Sequence, residues 1–313
     1  MRKVVVLLLA LTLTMGTQAQ VGRVVGGALK KKMEQTLEKK VGESLGVSKQ
    51  ESSPRATQQS TEEEMDENHV PTPEEVMAMV PQIPAPQQLA EYACEQNRAN
   101  QRTLKVLANP TTTFVSKMVV ASASGYVVMM GGAKAGSLYN YDEHLFGELG
   151  ISEEQYNNMS DEDKQELTTK YANELLDRYL RTAERLASDE EYSKLMEQYT
   201  ALDKEIETKY GEVDSICGDM WQKNYGAKKE PSENDRCAYF QMAAPLQHKV
   251  VVDVMKVRKD RQLPIAKKMD ARVQELANRY PEEVYVGFYN QGGLCATSYV
   301  GDAMRLVNIT IPR

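Results

Sequence analysis

The chain has 313 residues, of which 41% are apolar and 27% charged, and its formal net charge is −7. That balance fits a well-solvated helical protein and makes a poor general binder of polyanions, so nucleic acid is excluded as the main partner. Tyr is abundant, with 16 against 4 Phe and 1 Trp, and a side chain that buries its ring while keeping a hydroxyl wet suits shallow helix seams.

Residues 1–20 read as a secretory signal. Arg2 and Lys3 are followed by an apolar run from Val4 to Leu13 and by small and polar residues through Gln20, the order a signal peptidase recognises. Cleavage falls after Ala19 or Gln20. Loss of Arg2 and Lys3 moves the net charge from −7 to −9. The expected compartment is periplasmic or extracellular.

Residues 21–46 have amphipathic spacing. Val21, Val25, Leu29, Met33, Leu37, Val41 and Leu45 recur every four residues, opposite a face rich in Lys and Arg. Such a helix docks on the protein's own body or on a partner, with an anionic membrane surface as the alternative. Residues 47–86 lose this period: Ser, Gln and Glu give way to Pro71, Pro73, Pro81, Pro84 and Pro86, a composition that offsets little chain entropy by burial. The segment reads as an acidic, proline-rich linker. Within it, Thr72, Pro73, Glu74 and Glu75 predict a short helix through about Met79.

Helical periodicity begins at Gln87 and breaks at Asn109-Pro110, because the residue before proline is pushed out of the α region. Met118 to Ala133 then contains no charge. Ala121, Gly125, Met129 and Ala133 share one face of this block, which also holds Val127, and it reads first as a buried core helix and second as a membrane-insertion element. An exported helical chain that hides an apolar block resembles the architecture of α-helical pore-forming toxins. The likeness covers this block and the long hairpin below, and implies insertion as the runner-up function.

Ser152 with Gln155, Ser160 with Asp163, and Ser188 with Glu191 mark helix starts. From Tyr192 the apolar positions Leu195, Tyr199, Leu202, Ile206, Val213, Ile216 and Met220 alternate steps of three and four, with Lys209 in the polar slot. That predicts a heptad seam, as in a coiled coil. A turn at 226–233 returns the chain along an arm that Pro245 and Pro264 should kink or interrupt. From Val284 the period changes: two strand-like runs, 284–289 and 294–300, flank Asn290-Gln291-Gly292-Gly293, and 304–311 supplies a third. These predict a small antiparallel β-meander packed on the helices.

Cys94, Cys217, Cys237 and Cys295 are even in number, which in an exported chain reads as two disulfides with three possible connectivities. The turn favours Cys217–Cys237 and leaves Cys94–Cys295. No zinc spacing accompanies them. Of the three histidines, His144 alone has acidic neighbours, Asp142 and Glu143, but adjacent helical residues do not face one site.

The sequence therefore predicts a mainly α protein: a signal peptide (1–20), an amphipathic helix (21–46), a linker (47–86), a long antiparallel helical hairpin or bundle (87–282) and a C-terminal β-meander (283–313). It implies no catalytic or metal site, cofactor or small-molecule ligand. The expected role is an exported, non-enzymatic interaction or scaffold protein, working with a protein partner or by self-association. A membrane-active protein using 21–46 or 114–136 is the alternative, and an enzyme of unknown type the third reading.

Overall fold

The computed structural model describes residues 69–98, 110–135, 150–228, 230–285 and 290–312. The chain divides into two units, 1–65 and 66–313, and every described residue belongs to the second. The signal segment, the amphipathic positions Val25, Leu29, Met33, Leu37 and Val41, the linker before residue 69, and His144 lie outside the described residues. Among those described the protein is 82% helical, with nine α-helices and no strand.

The first helices are set by caps legible in the sequence. Thr72 caps α1 (Pro73–Ala78) through a reciprocal box with Glu75, and Pro73 fills the first turn, where its missing N–H costs nothing. Val76 and Met77 of α1, with Leu89, Ala90 and Ala93 of α2 (Pro86–Asn97), are buried in the common core. Each fully buried Val, Leu or Met side chain contributes about 1.5–3 kcal/mol. Residues 73–86, expected in the linker, are therefore part of the body. After α3 (Pro110–Ala135), Ser152 and Ser160 cap α4 (Glu153–Asn157) and α5 (Asp161–Ser188), as their spacing predicts.

A long hairpin follows. The cap of α6 (Glu190–Tyr225) is Asp189 rather than Ser188: the Asp189 carboxylate accepts from the Tyr192 N–H at 2.8 Å and from Arg272 at 2.7 Å. The Ser188 hydroxyl instead donates back to the carbonyls of Glu184 and Arg185. Over its second half α6 buries Ile206, Tyr210, Val213, Cys217 and Trp221, in steps of four, three, four and four. The predicted heptad positions drift off this stripe, so Ile216 is 51% exposed and Tyr210, not Lys209, fills the intervening slot. A straight helix rotates about 20° per heptad away from a 3.5-residue seam. The coiled-coil expectation is thus unsupported.

The return arm runs through α7 (Glu233–Val257), a π-helical turn (Arg258–Gln262) and α8 (Leu263–Arg279). Pro245 lies inside α7, which continues across it, whereas Pro264 falls where the pairing changes. There the Leu263 N–H bonds to the Arg258 carbonyl, five residues back, a widened turn ahead of a residue that has no N–H to donate.

The expected β-meander is not found among the described residues, and 286–289 of its first run lie outside them. Residues 294–300 belong to α9 (Gln291–Met304), followed by a 3-10 turn at Arg305–Val307, and residues 308–312 have no regular structure. Asn290, read as a turn residue, caps α9 by accepting from the Gly293 N–H at 2.7 Å. The buried positions Gly292, Cys295, Ala296, Val300 and Ala303 follow a helical stripe that the β-prone composition conceals. This helix packs against α1, α3, α7 and α8 and forms the centre of the body.

The cysteine pairing also differs from expectation. Cys94 of α2 is bonded to Cys237 of α7, with their Cα atoms 4.9 Å apart, and Cys217 and Cys295 are buried free thiols. The reason is register. Trp221 meets Tyr239 edge-on at 5.2 Å and Asp214 meets Gln247 at 3.1 Å, so Cys217 lies opposite residues well beyond Cys237. Its sulfur contacts Gln247 Nε2 at 3.8 Å. Cys295 sits in the middle of α9, near the π turn rather than α2.

Candidate functional site

Three features of the body carry polar or exposed groups that packing alone does not explain. The first is a buried ionic knot at the π turn. Arg258 and Gln262 stand on the stripe that Val251, Val254, Ala266 and Met269 continue as core. The Arg258 guanidinium is in direct contact with the Asp302 carboxylate of α9, and its Nη1 reaches Gln262 Oε1 at 2.8 Å and Asp203 Oδ1 of α6 at 3.4 Å. Gln262 Nε2 donates to Asp203 Oδ1 at 2.6 Å, and the Cys295 thiol lies 3.6 Å from Gln262 Oε1. Gln262 is fully buried and Asp302 is 6% exposed.

Burial raises the Asp302 carboxyl while the Arg258 guanidinium opposes that rise. Burial works against the Arg258 charge, but its carboxylate partners raise its affinity for the proton above the ordinary arginine value. The pair is held as an ion pair that ties α6, α9 and the π turn together. The Cys295 thiol is pushed up to about 12, chiefly by burial, so it is not a thiolate nucleophile at neutral pH. These groups satisfy one another, and the knot acts as a structural keystone.

The second feature is Asp270 of α8. Its two carboxylate oxygens accept from the backbone N–H groups of Gln291 and Gly292, at 2.7 and 2.9 Å. These are first-turn donors that α9 itself leaves unpaired. Burial raises the Asp270 carboxyl to about 6, against the lowering effect of the two N–H bonds. Gly292 allows this close approach, because a Cβ would crowd Asp270 Oδ2 at 3.0 Å and Pro73 Cγ at 3.3 Å. Asn290 also donates through Nδ2 to the Val128 carbonyl at 2.6 Å, which fixes the start of α9 against α3.

The third feature is α3, which is apolar on two sides. Its inner face buries Phe114, Met118, Ala121, Gly125 and Val128, and Thr297 of α9 donates to the Gly125 carbonyl at 3.0 Å. Gly125 is buried against α9, and Val127 is half-buried. The outer face presents Val120 at 62% exposure, Ala123, and Tyr126 at 48%, with Thr113, Ser116 and Lys117 exposed towards its N-terminal end. No helix among the described residues is long and apolar enough to cross a membrane.

Arg258, Gln262, Asp270 and Asp302 were not legible as a group. The available signal was a polar residue standing in phase with a core stripe, as Arg258 and Gln262 do, but nothing in the spacing joins them to α9. Of the histidines, His69 contacts Glu75 at 3.1 Å on the surface and His248 is half-buried in α7. Comparison with known proteins found no matching family, curated protein or solved structure.

Proposed function

We propose that this chain is an exported, non-enzymatic interaction protein whose helical body docks through the outer face of α3. The observation that carries the reading is the two-sided apolar character of that helix: its inner face is core, and Val120, Ala123 and Tyr126 stand exposed opposite it. Export is supported by the charged, apolar and small-residue order of residues 1–20, and the Cys94–Cys237 disulfide is compatible with it.

The test is site-specific photocrosslinking in the native envelope or secreted fraction, with a benzophenone side chain at position 120, 126 or 197. Glu197 is an exposed control on α6. Adducts at 120 and 126, absent at 197, are the expected result. Equal labelling at all three positions, or none, refutes the docking face. N-terminal sequencing checks export, since the mature chain should begin at Gln20 or Val21.

A further inference from the structure

We propose that the outer face of α3 seats on an anionic lipid surface, with the helix lying on the membrane rather than crossing it. The inference rests on the docking role assigned to that face and names its partner. Charge is the first argument. The chain carries 45 Asp and Glu, and every other described α-helix contains at least one of them, yet the 26 residues of α3 contain none. Their only charges are Lys117 and Lys134, one towards each end.

The outer side chains complete the pattern. Val120, Ala123 and Tyr126 are exposed, Val119 and Val127 are half-buried between them, and Thr113, Ser116 and Lys117 are exposed in the turns before Val120. Aliphatic groups with a flanking lysine and an amphipathic tyrosine suit the boundary between acyl chains and headgroups. Size is the second argument. Three exposed side chains along one helix supply far less than the roughly 800 Å² per partner that a stable protein pair buries. Spanning is precluded by the inner face, because Met118, Ala121, Gly125 and Val128 are engaged with the body.

The experiment uses the mature full-length chain and vesicles of phosphatidylcholine with or without phosphatidylglycerol. Binding is read by flotation and insertion by dye release. The wild type should float with the anionic vesicles, release no dye, and lose affinity as salt is added. Val120→Glu with Tyr126→Glu should weaken binding by about tenfold or more while leaving the melting temperature unchanged. Lys117→Glu should weaken binding to anionic vesicles only.

Failure of the wild type to float overturns the proposal, and so does undiminished binding by the double glutamate variant. A marked fall in that variant's melting temperature means that the chain itself covers this face, which also overturns it. Dye release by the wild type refutes the surface-lying geometry. If vesicles do not bind but photocrosslinks at 120 and 126 capture a polypeptide, a second copy included, the docking role stands and the lipid assignment falls.

Discussion

Asp302 and Arg258 meet at the one place where the return arm of the hairpin changes its hydrogen-bond pattern. The carboxylate belongs to α9 and the guanidinium to the π turn, and Asp203 of α6 closes the cluster from the third side. A proline at 264 and a buried charge at 258 are thus accommodated by the same widened turn. Because the groups are mutually satisfied, removing the guanidinium leaves the Asp302 carboxylate buried and uncompensated.

Arg258→Met should therefore cost about 3–5 kcal/mol of stability. Combining it with Asp302→Leu should recover a substantial part, because no buried carboxylate then lacks its cation. Denaturant melts of the single and double variants decide the matter. A double variant no more stable than Arg258→Met would mean that the knot does not act as a unit.

Peptide mapping without reduction should recover Cys94 joined to Cys237, with Cys217 and Cys295 alkylated only after unfolding. The bridge spans 143 residues of sequence, so the chain-entropy model assigns it up to about 5 kcal/mol. A Cys217–Cys237 link would refute the hairpin register.

Asp270 sets a pH dependence whose sign follows from its environment. Its folded-state pKa is raised to about 6 from an ordinary value of 3.8, so the folded protein binds this proton more tightly than the unfolded chain does. The associated stability is fully present below about pH 4 and is lost as pH rises through about 6, on the order of 3 kcal/mol in all. Asp270→Asn should be less stable below about pH 4 for want of one acceptor, and should lack this component of the slope, so the gap to wild type narrows between about pH 4 and 7. Parallel stability–pH curves for the two proteins would contradict the assignment.

The two faces of α3 should differ in their response to added volume. A Cβ on Gly125 would lie 3.2 Å from Thr297 Oγ1 and 3.6 Å from Val76 Cγ1, so Gly125→Leu should overpack the contact with α9 and cost roughly 1–3 kcal/mol. Val120→Leu, on the exposed side, should stay within about 0.5 kcal/mol of wild type. Thermal melts of the two variants provide the comparison.

Limited proteolysis should cut first within residues 47–68, whose sequence lacks apolar period, and leave a fragment that begins before Pro73. Burial of Val76 and Met77 protects the segment that follows. A stable fragment beginning near residue 85 would mean that α1 is not held by the body.

By itself the sequence determined the local choices. Helix starts at Ser152, Ser160 and Thr72 were legible because a cap is a contact between residues three apart. The helical class and the turn between α6 and α7 followed from periodicity and composition for the same reason. Only the tertiary structure decided which residues meet at long range. Cys237 found Cys94 because the hairpin register moved it away from Cys217. The stretch from Leu294 to Val300 became a helix because Asn290 and Asp270 together satisfy its first N–H groups, and because Cys295, Ala296 and Val300 have helical packing partners on several sides. Helix propensity varies among ordinary residues by only roughly 0–0.7 kcal/mol each. A buried stripe and the N–H bonds to Asp270 outweigh that difference, and the contact with Asp270, 21 and 22 residues away, is not written in local spacing.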